Sequence, residues 1–421
     1  MASHSTASLS TAGSHSTAGS QMSSDSRSHA MSAAAPAALA ALPEGDFLQV
    51  DRIDVYVFQD NAPPAVKSSF GTSTQRTSAL LRVRDASGHH GWGEIWSGHP
   101  PFGAYHRATI LEKLVAPRVV GRKIADIPAL QDELQAAMIP MLRLAGEPGP
   151  IAHVLAGLDC ALWDLAARMR GVPLYRLLGG QPRPLPVYAS GVSPSLSRQA
   201  LDDLRERGFR AFKFKAGFQD DGALDDLRRT VQGLCADESA MIDANCGWNV
   251  DSASRALERI RDLPLQWVEE PIGPERPAHE WHTLHAAGHP LAGGENLLGV
   301  DAFRAAFEWL DVVQPDLGKW GGVSQVLPLA RETLARGKRY CPHAFGTHIG
   351  AALAAHVLCA AGGDGVLELD ANPNPLRTLG APGFPAPAQG RIALDDTPGI
   401  GIDANPDALE NYDGHHAVVT S

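Results

Sequence analysis

Seven residues, nearly all of them ionisable, recur through the second half of the sequence, each just after a short apolar segment. In chain order they are Lys215, Asp243, Glu269, Glu295, Asp316, His343 and Glu368, with separations of 28, 26, 26, 21, 27 and 25 positions. One charged residue in such a place is usually a helix cap or a solvated loop residue. Seven in consecutive units of similar length instead indicate one site, built from groups that exchange protons or bind cations.

Three of the seven are carboxylates that follow neighbouring segments: Asp243, Glu269 and Glu295. Packed close together without partners, they would repel one another and their pKa values would rise. A divalent cation removes that repulsion, and a ligand set of oxygens without Cys or His favours Mg²⁺. We therefore expect these three residues to bind Mg²⁺.

Lys213 and Lys215 alternate with Phe212 and Phe214, so a strand would place both ammonium groups on one face. Inside a barrel, which has no solvated edge, two such lysines are costly unless they are paired or used. We expect their mutual repulsion to lower their pKa values, so that one of them can act as a neutral base near pH 7.

Asp316 and His343 stand one unit apart and are expected to pair. An Asp bonded to one imidazole nitrogen fixes the tautomer and raises the basicity of the other nitrogen. His348 is the alternative histidine for this role. Glu368 closes the series, where it would donate or accept a hydrogen bond at a substrate carboxylate.

The segments that carry these residues alternate with helical stretches from Pro184 onward. The eight apolar segments are Val187-Tyr188, Ala211 to Lys215, Ala240 to Ile242, Gln266 to Val268, Leu291-Ala292, Val312-Val313, Arg339 to Cys341 and Val366-Leu367. Strands separated by helices imply parallel βαβ units. Eight such strands commonly close into a barrel whose active site lies at their carboxyl ends, so the seven residues would meet at one mouth.

The rest of the chain divides by composition. Residues 1–46 are rich in Ser, Thr, Ala and His and are predicted to be a disordered tail. Residues 47–150 indicate a compact α+β domain. A strongly amphipathic helix over 151–168 begins the barrel region, 151–375. The Pro- and Gly-rich residues 376–421 are expected to pack back on the α+β domain.

Composition argues against several classes of protein. The net charge of −11 disfavours a nucleic-acid partner. The mean hydropathy is −0.13, and no apolar run approaches the ~20 residues of a membrane helix, so we expect no membrane association. The five cysteines form no CxxC motif, which indicates free thiols and a cytoplasmic location.

Taken in order, the motifs resemble those of the enolase superfamily, mandelate racemase subgroup. They are Lys213-Phe-Lys215, Asp243-Ala-Asn245, Glu269-Glu-Pro271, Gly294-Glu-Asn296, Gln314-Pro-Asp316 with Gly321-Gly322, Cys341-Pro-His343 and Leu367-Glu-Leu-Asp370. Upstream, Gly91-Trp-Gly-Glu94 and the helix at 151–168 add to the likeness. The resemblance implies an α/β fold: a (β/α)₇β TIM-like barrel with an N-terminal α+β capping domain.

The resemblance also implies a reaction, the Mg²⁺-dependent removal of a proton α to a carboxylate to give an enediolate. It makes the three carboxylates metal ligands, and within Glu269-Glu270 it favours the first. It makes Lys215 a base with Lys213 as electrostatic neighbour, and it makes His343 the acid or base on the opposite face.

Acid-sugar dehydratases are the common members of this subgroup, so we expect a hydro-lyase that converts an aldonate or aldarate to a 2-keto-3-deoxy acid. The same two bases permit a racemase or epimerase of a 2-hydroxy acid. A cycloisomerase of a sugar-acid lactone would share the enediolate, although Gly294-Glu-Asn296 and Asp316 argue against it. A non-enzymatic binding barrel would be expected to lose some of the seven residues, and none is missing.

The substrate is expected to be a small carboxylate, covered by the polar loops 59–77 and 96–105. The candidate substrate contacts are Asn245, Trp248, Arg76, Trp96 and His99. The resemblance further suggests a symmetric homo-oligomer.

Overall fold

The structure is a computed structural model that describes residues 47–61, 63, 66–217 and 222–421. The predicted disordered tail, 1–46, therefore lies outside the described residues. The strands are β1 (Leu48–Asp60), β2 (Val66–Ser68), β3 (Gly71–Ser73), β4 (Arg76–Asp85), β5 (His90–Glu94), β6 (Lys123–Ile124), β7 (Leu185–Val192), β8 (Ala211–Lys215), β9 (Ser239–Asp243), β10 (Leu265–Glu269), β11 (Leu291–Gly293), β12 (Val312–Val313), β13 (Arg339–Tyr340), β14 (Leu367–Asp370), β15 (Arg391–Ile392) and β16 (Asp413–Thr420).

Helices pack on both sheets. They are α1 (Gly103–Ile110), α2 (Ile127–Ala137), α3 (Pro148–Met169), α4 (Leu174–Leu177), α5 (Arg198–Glu206), α6 (Gly222–Gln232), α7 (Val250–Arg259), α8 (Ala278–His285), α9 (Val300–Ala306), α10 (Gly322–Ala335), α11 (His348–Ala361) and α12 (Pro375–Thr378). Short helical turns extend several of them.

An antiparallel sheet of order β16-β1-β4-β5 forms the cap, with β6 also paired to β1. Strands β1 and β4 pair over ten residues, from Val50 opposite Asp85 to Asp60 opposite Arg76. The loop expected over 59–77 contains a β-hairpin, because β2 and β3 pair antiparallel across it. At its tip, the Ser69 hydroxyl donates a hydrogen bond to the Asn245 carbonyl oxygen in the barrel, so the hairpin reaches over the barrel mouth.

Strands β7 to β14 are parallel neighbours, and β14 returns to pair with β7. The Val366 amide donates to Cys341 Sγ at 3.4 Å, which links the chain before β14 to the chain after β13. A helix follows each of the first seven strands. Buried side chains fill the interior, as in TIM barrels: Tyr188, Met241, Trp267, Ala292, Val312 and Cys341. The (β/α)₇β barrel with its α+β cap is thereby confirmed.

Helix α3 differs from the expectation for 151–168, because it is buried on most sides rather than amphipathic. It lies between strand β5 of the cap and helix α10 of the barrel. Gly93 and Gly157 allow the close approach, since a Cβ at Gly93 would collide with the Gly157 carbonyl oxygen. By length and composition α3 could cross a membrane, but 89% of its most apolar window is buried inside the protein, as in a core helix.

Candidate active site

Register brings the catalytic candidates to one level of the barrel. Lys215 on β8 lies opposite Asp243 on β9, and Asp243 lies opposite Glu269 on β10. Above them a cavity of about 700 Å³ separates the barrel mouth from the cap. The candidate residues that line it are Lys215, Asn245, Glu295, Asp316, His343 and Glu368 from the barrel, with Arg76, Trp96 and His99 from the cap.

Both lysines are held by carboxylates. The Lys213 ammonium, 1% exposed, lies 2.5 Å from Glu269 Oε1 and 2.8 Å from Glu368 Oε1. The Lys215 ammonium lies 2.6 Å from Asp243 Oδ2 and also donates to Asn245 Oδ1 at 2.9 Å.

The expected lowering of the two lysine pKa values is wrong for this arrangement. Burial acts to lower the pKa of Lys213, but Glu269 and Glu368 outweigh it and hold that pKa well above its usual value. Burial and Lys213 act to lower the pKa of Lys215, yet Asp243 leaves it raised. Attraction to the carboxylates exceeds the repulsion between the lysines, so both are charged here.

Glu269 and Glu270 point to different surroundings. Glu269 Oε2 accepts hydrogen bonds from Trp267 Nε1 at 3.1 Å and Gln314 Nε2 at 2.7 Å. Burial, helped by neighbouring carboxylates, raises the pKa of Glu269 to about 7. Glu270 has a positive φ of 39° and accepts from Asn296 Nδ2 at 2.8 Å. Burial, then the charge of Glu295, raises the pKa of Glu270 to about 8.

Glu295 lies among cations. His343 Nε2 is 2.8 Å from its Oε2, and Lys319 Nζ is 3.3 Å from the same atom. Burial acts to raise the pKa of Glu295, but these two cations hold it well below its usual value. Glu295 is therefore ionised and is shared by the imidazole and an ammonium group.

The predicted Asp–His pair is formed by Asp316 and His343. Asp316 Oδ2 and His343 Nδ1 are 2.6 Å apart, and Asp316 Oδ1 accepts from the Gly318 amide at 2.7 Å. Burial acts to lower the pKa of His343, but Glu295 and Glu368 raise it well above its usual value. The alternative, His348, bonds the Ala381 carbonyl oxygen at 2.8 Å and is not part of this pair.

Glu368 lies beneath the mouth, 1% exposed. Its Oε2 accepts a hydrogen bond from the Ala344 amide at 3.0 Å, while Oε1 faces Lys213. Burial acts to raise the pKa of Glu368, but Lys213 and His343 lower it to about 2. Glu368 is thus an acceptor that holds other groups in place, rather than a neutral donor to substrate.

The cluster of three acidic side chains, Asp243, Glu269 and Glu295, suits a divalent cation. Across residues 47–421, leaving out the few that are not described, no three His, Cys, Asp or Glu side chains already form a coordinating group. The lysines and the imidazole neutralise the carboxylates instead. The donors are nonetheless all oxygens. Burial and, after it, neighbouring carboxylates raise the pKa values of Glu269 and Glu270, and a cation would offset both effects.

Four of the five expected substrate contacts line the cavity, and one does not. Asn245, Arg76, Trp96 and His99 all line the cavity. Trp248 is not among its lining residues; its amide donates to the Pro271 carbonyl oxygen at 3.2 Å, and its ring packs on the core. A polar residue directly after a strand reaches the mouth, whereas Trp248, five positions beyond Asp243, has already turned toward helix α7.

Two residues without an assigned catalytic role occupy key positions. Lys319 bonds Asn296 Oδ1 at 2.9 Å and lies 4.6 Å from the Trp96 ring centroid, which joins the barrel mouth to the cap. Glu94, at the end of β5, accepts hydrogen bonds from the Thr347 amide, the Thr347 hydroxyl and the Gly350 amide. Its place in Gly91-Trp-Gly-Glu94 was the available sequence signal.

Two family models match the chain. The one described as "Mandelate racemase / muconate lactonizing enzyme, N-terminal domain" matches residues 52–179. The one described as "Enolase C-terminal domain-like" matches residues 195–408. Together they cover the cap and the barrel.

Individual relatives carry different reaction names. A D-galactarolactone cycloisomerase of Agrobacterium fabrum is 28% identical over 390 residues, which are 87% of this chain and 99% of that protein. A provisionally named L-rhamnonate dehydratase of Caldivirga maquilingensis is 26% identical, over 79% of this chain and 82% of that protein.

Solved structures share the whole architecture. A mandelate racemase/muconate lactonizing enzyme from Bordetella bronchiseptica RB50 matches with a TM-score of 0.81 at 40% identity, over 87% of this chain and 99% of that one. A racemase from Streptomyces coelicolor A3(2) with bound magnesium matches with a TM-score of 0.77 at 26% identity, over 86% and 99%.

Proposed function

The chain belongs to the mandelate racemase/muconate lactonizing enzyme group of the enolase superfamily, and from this premise we propose that it dehydrates a sugar acid with the help of Mg²⁺. The resemblance seen in the motifs is confirmed. Acid-sugar chemistry of this superfamily is common to the relatives. The proposed reaction removes the proton α to the carboxylate and then the β-hydroxyl, giving a 2-keto-3-deoxy acid.

One observation carries the proposal: Lys215 and His343 line the same cavity from opposite sides. Their strands, β8 and β13, are separated by β7 and β14 around the barrel. Groups on both faces of a substrate permit removal of a proton from one carbon and protonation of a leaving group on the next.

His343 is suited to be the acid. Glu295 raises its pKa most, and Glu368 and the hydrogen bond to Asp316 would still raise it if Mg²⁺ competed for Glu295. Asp316 fixes Nδ1, so Nε2 is the nitrogen that would donate a proton to the departing β-hydroxyl. The C–O bond breaks, its electron pair leaves with the oxygen, and the added proton completes a water molecule. The enol that remains tautomerises to the keto acid.

Lys215 is proposed as the base that takes the α-proton on Nζ. In the arrangement described, its proton is held by Asp243. Asp243, Glu269 and Glu295 would hold Mg²⁺, which when bound stabilises negative charge that develops on the substrate carboxylate. Competition for Asp243 would weaken the lysine's ion pair and favour its neutral form. Lys213, fixed between Glu269 and Glu368, supplies positive charge below the reacting carbon.

A second candidate, ring opening of a sugar-acid lactone, uses the same two groups. The leaving β-oxygen would then belong to the ring, and the product would be an isomer. The relative named D-galactarolactone cycloisomerase supports this second candidate, because the alignment with this chain covers 99% of that protein's length. Gly294-Glu-Asn296 and Asp316 therefore do not exclude a cycloisomerase, and the neighbour described as a racemase keeps racemisation as a further alternative.

A panel of aldonic acids, aldaric acids and their lactones, incubated with Mg²⁺ in D₂O, tests the proposal. Keto-acid formation from an open-chain acid is expected, and it should stop when EDTA removes the metal. Lys215→Met is expected to abolish both α-deuteration and product. His343→Asn is expected to lower product formation by about 10²–10⁴-fold while α-deuteration continues. His348→Asn, outside the Asp316 pair, is the matched control and should keep product formation.

Other results would redirect the assignment. Turnover of lactones alone supports the cycloisomerase, and α-deuteration with inversion but no keto acid supports a racemase. Silence across the panel, or full turnover after EDTA, contradicts α-proton chemistry with Mg²⁺.

We place this activity in the cytoplasm as a homo-oligomer. All five cysteines are free, with Cys160, Cys341 and Cys359 buried, which suits a reducing compartment. Size-exclusion chromatography with light scattering would measure the oligomeric state.

A further inference from the structure

Arg76 lies where the cap meets the cavity. It is the first residue of β4, and its side chain is 12% exposed while lining the cavity wall. Its guanidinium carbon lies 5.5 Å from the centroid of the Phe345 ring. The Lys215 ammonium lies 5.8 Å from the same centroid. One aromatic ring thus spans the interval between the proposed base and this arginine.

The hydrogen-bonding capacity of Arg76 is only partly used. Its ion pair with Asp370, from Nη1 to Oδ2, is long at 3.4 Å. Asp370 is bound more closely by Arg377 Nη1 at 2.6 Å and by Asn372 Nδ2 at 2.6 Å. Two guanidinium groups therefore share the Asp370 carboxylate, and Asp60, opposite Arg76 on β1, adds a weaker attraction.

Two nitrogens of Arg76 lack a hydrogen-bond acceptor. Nε and Nη2 are buried, and neither has a partner in the part of the chain that the structure describes. A buried donor without an acceptor is costly, and the cost is larger for a charged group. Because Nε and Nη2 lie on one edge of the guanidinium plane, a single two-oxygen anion would satisfy both.

We propose that Arg76 binds a second carboxylate of the substrate, so that the enzyme acts on a dicarboxylic sugar acid, an aldarate or aldarate lactone. This inference rests on the proposed function, because it assumes that the first carboxylate occupies the metal end of the cavity. A chain of a few carbons then runs along Phe345 and presents its far carboxylate to Arg76. A hydroxymethyl end, as in an aldonate, would offer one oxygen to these two donors, whereas a carboxylate offers two.

A terminal phosphate could engage the same edge of the guanidinium. The carboxylate is favoured because Asp370 stands behind Arg76 and would repel a dianion more strongly than a monoanion.

The test compares matched substrates that differ only at the end distant from the reacting carbon. Six-carbon aldaric acids, the corresponding aldonic acids and their 6-phosphates are assayed with Mg²⁺ for kcat/KM. The wild-type enzyme is expected to prefer the diacid over the monoacid by about 50-fold or more. In Arg76→Gln that ratio is expected to fall below about 5-fold.

Arg82→Gln is the matched control. Arg82 lies on the same strand, pairs with Asp54 at 3.3 Å and does not line the cavity. It should leave the diacid-to-monoacid ratio unchanged. A merely structural role for Arg76 would lower kcat/KM for both acids together and preserve their ratio, which would overturn the inference.

The inference and the proposed function fail in different ways. Equal turnover of diacid and monoacid, or a preference for the 6-phosphate, refutes the role of Arg76 but leaves α-proton chemistry intact. If no acid is turned over, the proposed reaction fails, and calorimetry with the same acids decides the inference. Tighter binding of the diacid that Arg76→Gln abolishes would support it, and equal affinities would refute it.

Discussion

Asp316 and His343 are joined by a hydrogen bond of 2.6 Å between Oδ2 and Nδ1, which leaves Nε2 of the imidazole facing Glu295 and the cavity. The carboxylate is itself fixed by the amides of Gly318 and Lys319. Orientation of the imidazole therefore depends on the turn after β12 as well as on its own strand.

Asp316→Asn is expected to lower kcat by about 10²–10⁴-fold, because the amide cannot stabilise the imidazolium and can bind the wrong tautomer. Substrate KM should change little. Steady-state kinetics with the best acid of the panel measures both.

Asp311→Asn is the matched control for that variant. Asp311 pairs with His285 at 3.1 Å, precedes β12 and lies outside the cavity. Asp311→Asn should reduce kcat by less than about threefold, whereas Asp316→Asn should reduce it by at least about 100-fold. Equal losses in the two variants would mean that Asp316 acts through stability alone.

Magnesium binding should distinguish Glu269 from Glu270. Glu269→Gln is expected to weaken Mg²⁺ binding by about 100-fold or more, because it removes a proposed ligand. Glu270→Gln should cost less than about 10-fold, since its carboxylate is bound to Asn296 and acts through its charge. Isothermal titration calorimetry with Mg²⁺ measures both. The reverse order would transfer the ligand role to Glu270.

Glu94 should couple the cap to the barrel. Its buried carboxylate accepts from two amides and a hydroxyl at the start of α11, each between 2.7 and 3.0 Å. Glu94→Ala would leave those donors unsatisfied and is expected to lower the free energy of unfolding by about 2–4 kcal/mol.

Urea unfolding provides that measurement. The control is Glu133→Ala, which removes an exposed carboxylate paired with Arg122 and should leave the free energy of unfolding nearly unchanged. A loss for Glu94→Ala no greater than for Glu133→Ala would contradict the coupling.

Asp159 should make stability depend on pH. Its Oδ2 accepts from the Ser324 amide at 3.0 Å, while Oδ1 has no partner within the described segments. Burial raises the pKa of this carboxyl from 3.8 to about 7. A raised pKa in the folded state contributes stability that is present below pH 4 and is lost as the pH rises through 7.

Asp159→Asn cannot ionise but keeps an oxygen for Ser324. Relative to wild type, its free energy of unfolding is expected to improve between pH 5 and pH 8, by about 2–3 kcal/mol. Urea unfolding at both pH values measures the difference. A constant difference would show that Asp159 does not change its protonation across this range.

The level of the candidate site residues in the barrel could be predicted because it follows from local rules. One βα unit separates successive strand ends, so Lys215, Asp243 and Glu269 had to meet once the strands were parallel. Their charge states could not be predicted in the same way. The pKa of Lys215 depends on how deeply the ammonium group is buried and then on its distances to Asp243 and Lys213, all of which are set by packing.

Contacts between segments that are distant in the sequence could not be predicted either. Lys319 is three residues past a strand-end position, and only the tight turn that bonds Asp316 returns it to Glu295. Glu94 belongs to the cap, so its hydrogen bonds to α11 join residues more than 250 positions apart. No periodicity in the sequence records such a contact.

The antiparallel sheet of the cap is completed only by strand β16, which is synthesised after all the barrel strands. Strand β16 pairs with β1, and the hydrogen bond between His416 and Asp54 joins residues 362 positions apart. On the ribosome, β1 and β4 can pair early, but the outer edge of β1 stays unpaired until every barrel strand has been made. An exposed edge invites pairing with another chain. Stalled or prematurely released chains are therefore expected to aggregate through the unpaired edge of β1. Only a chain translated as far as β16 can cover that edge.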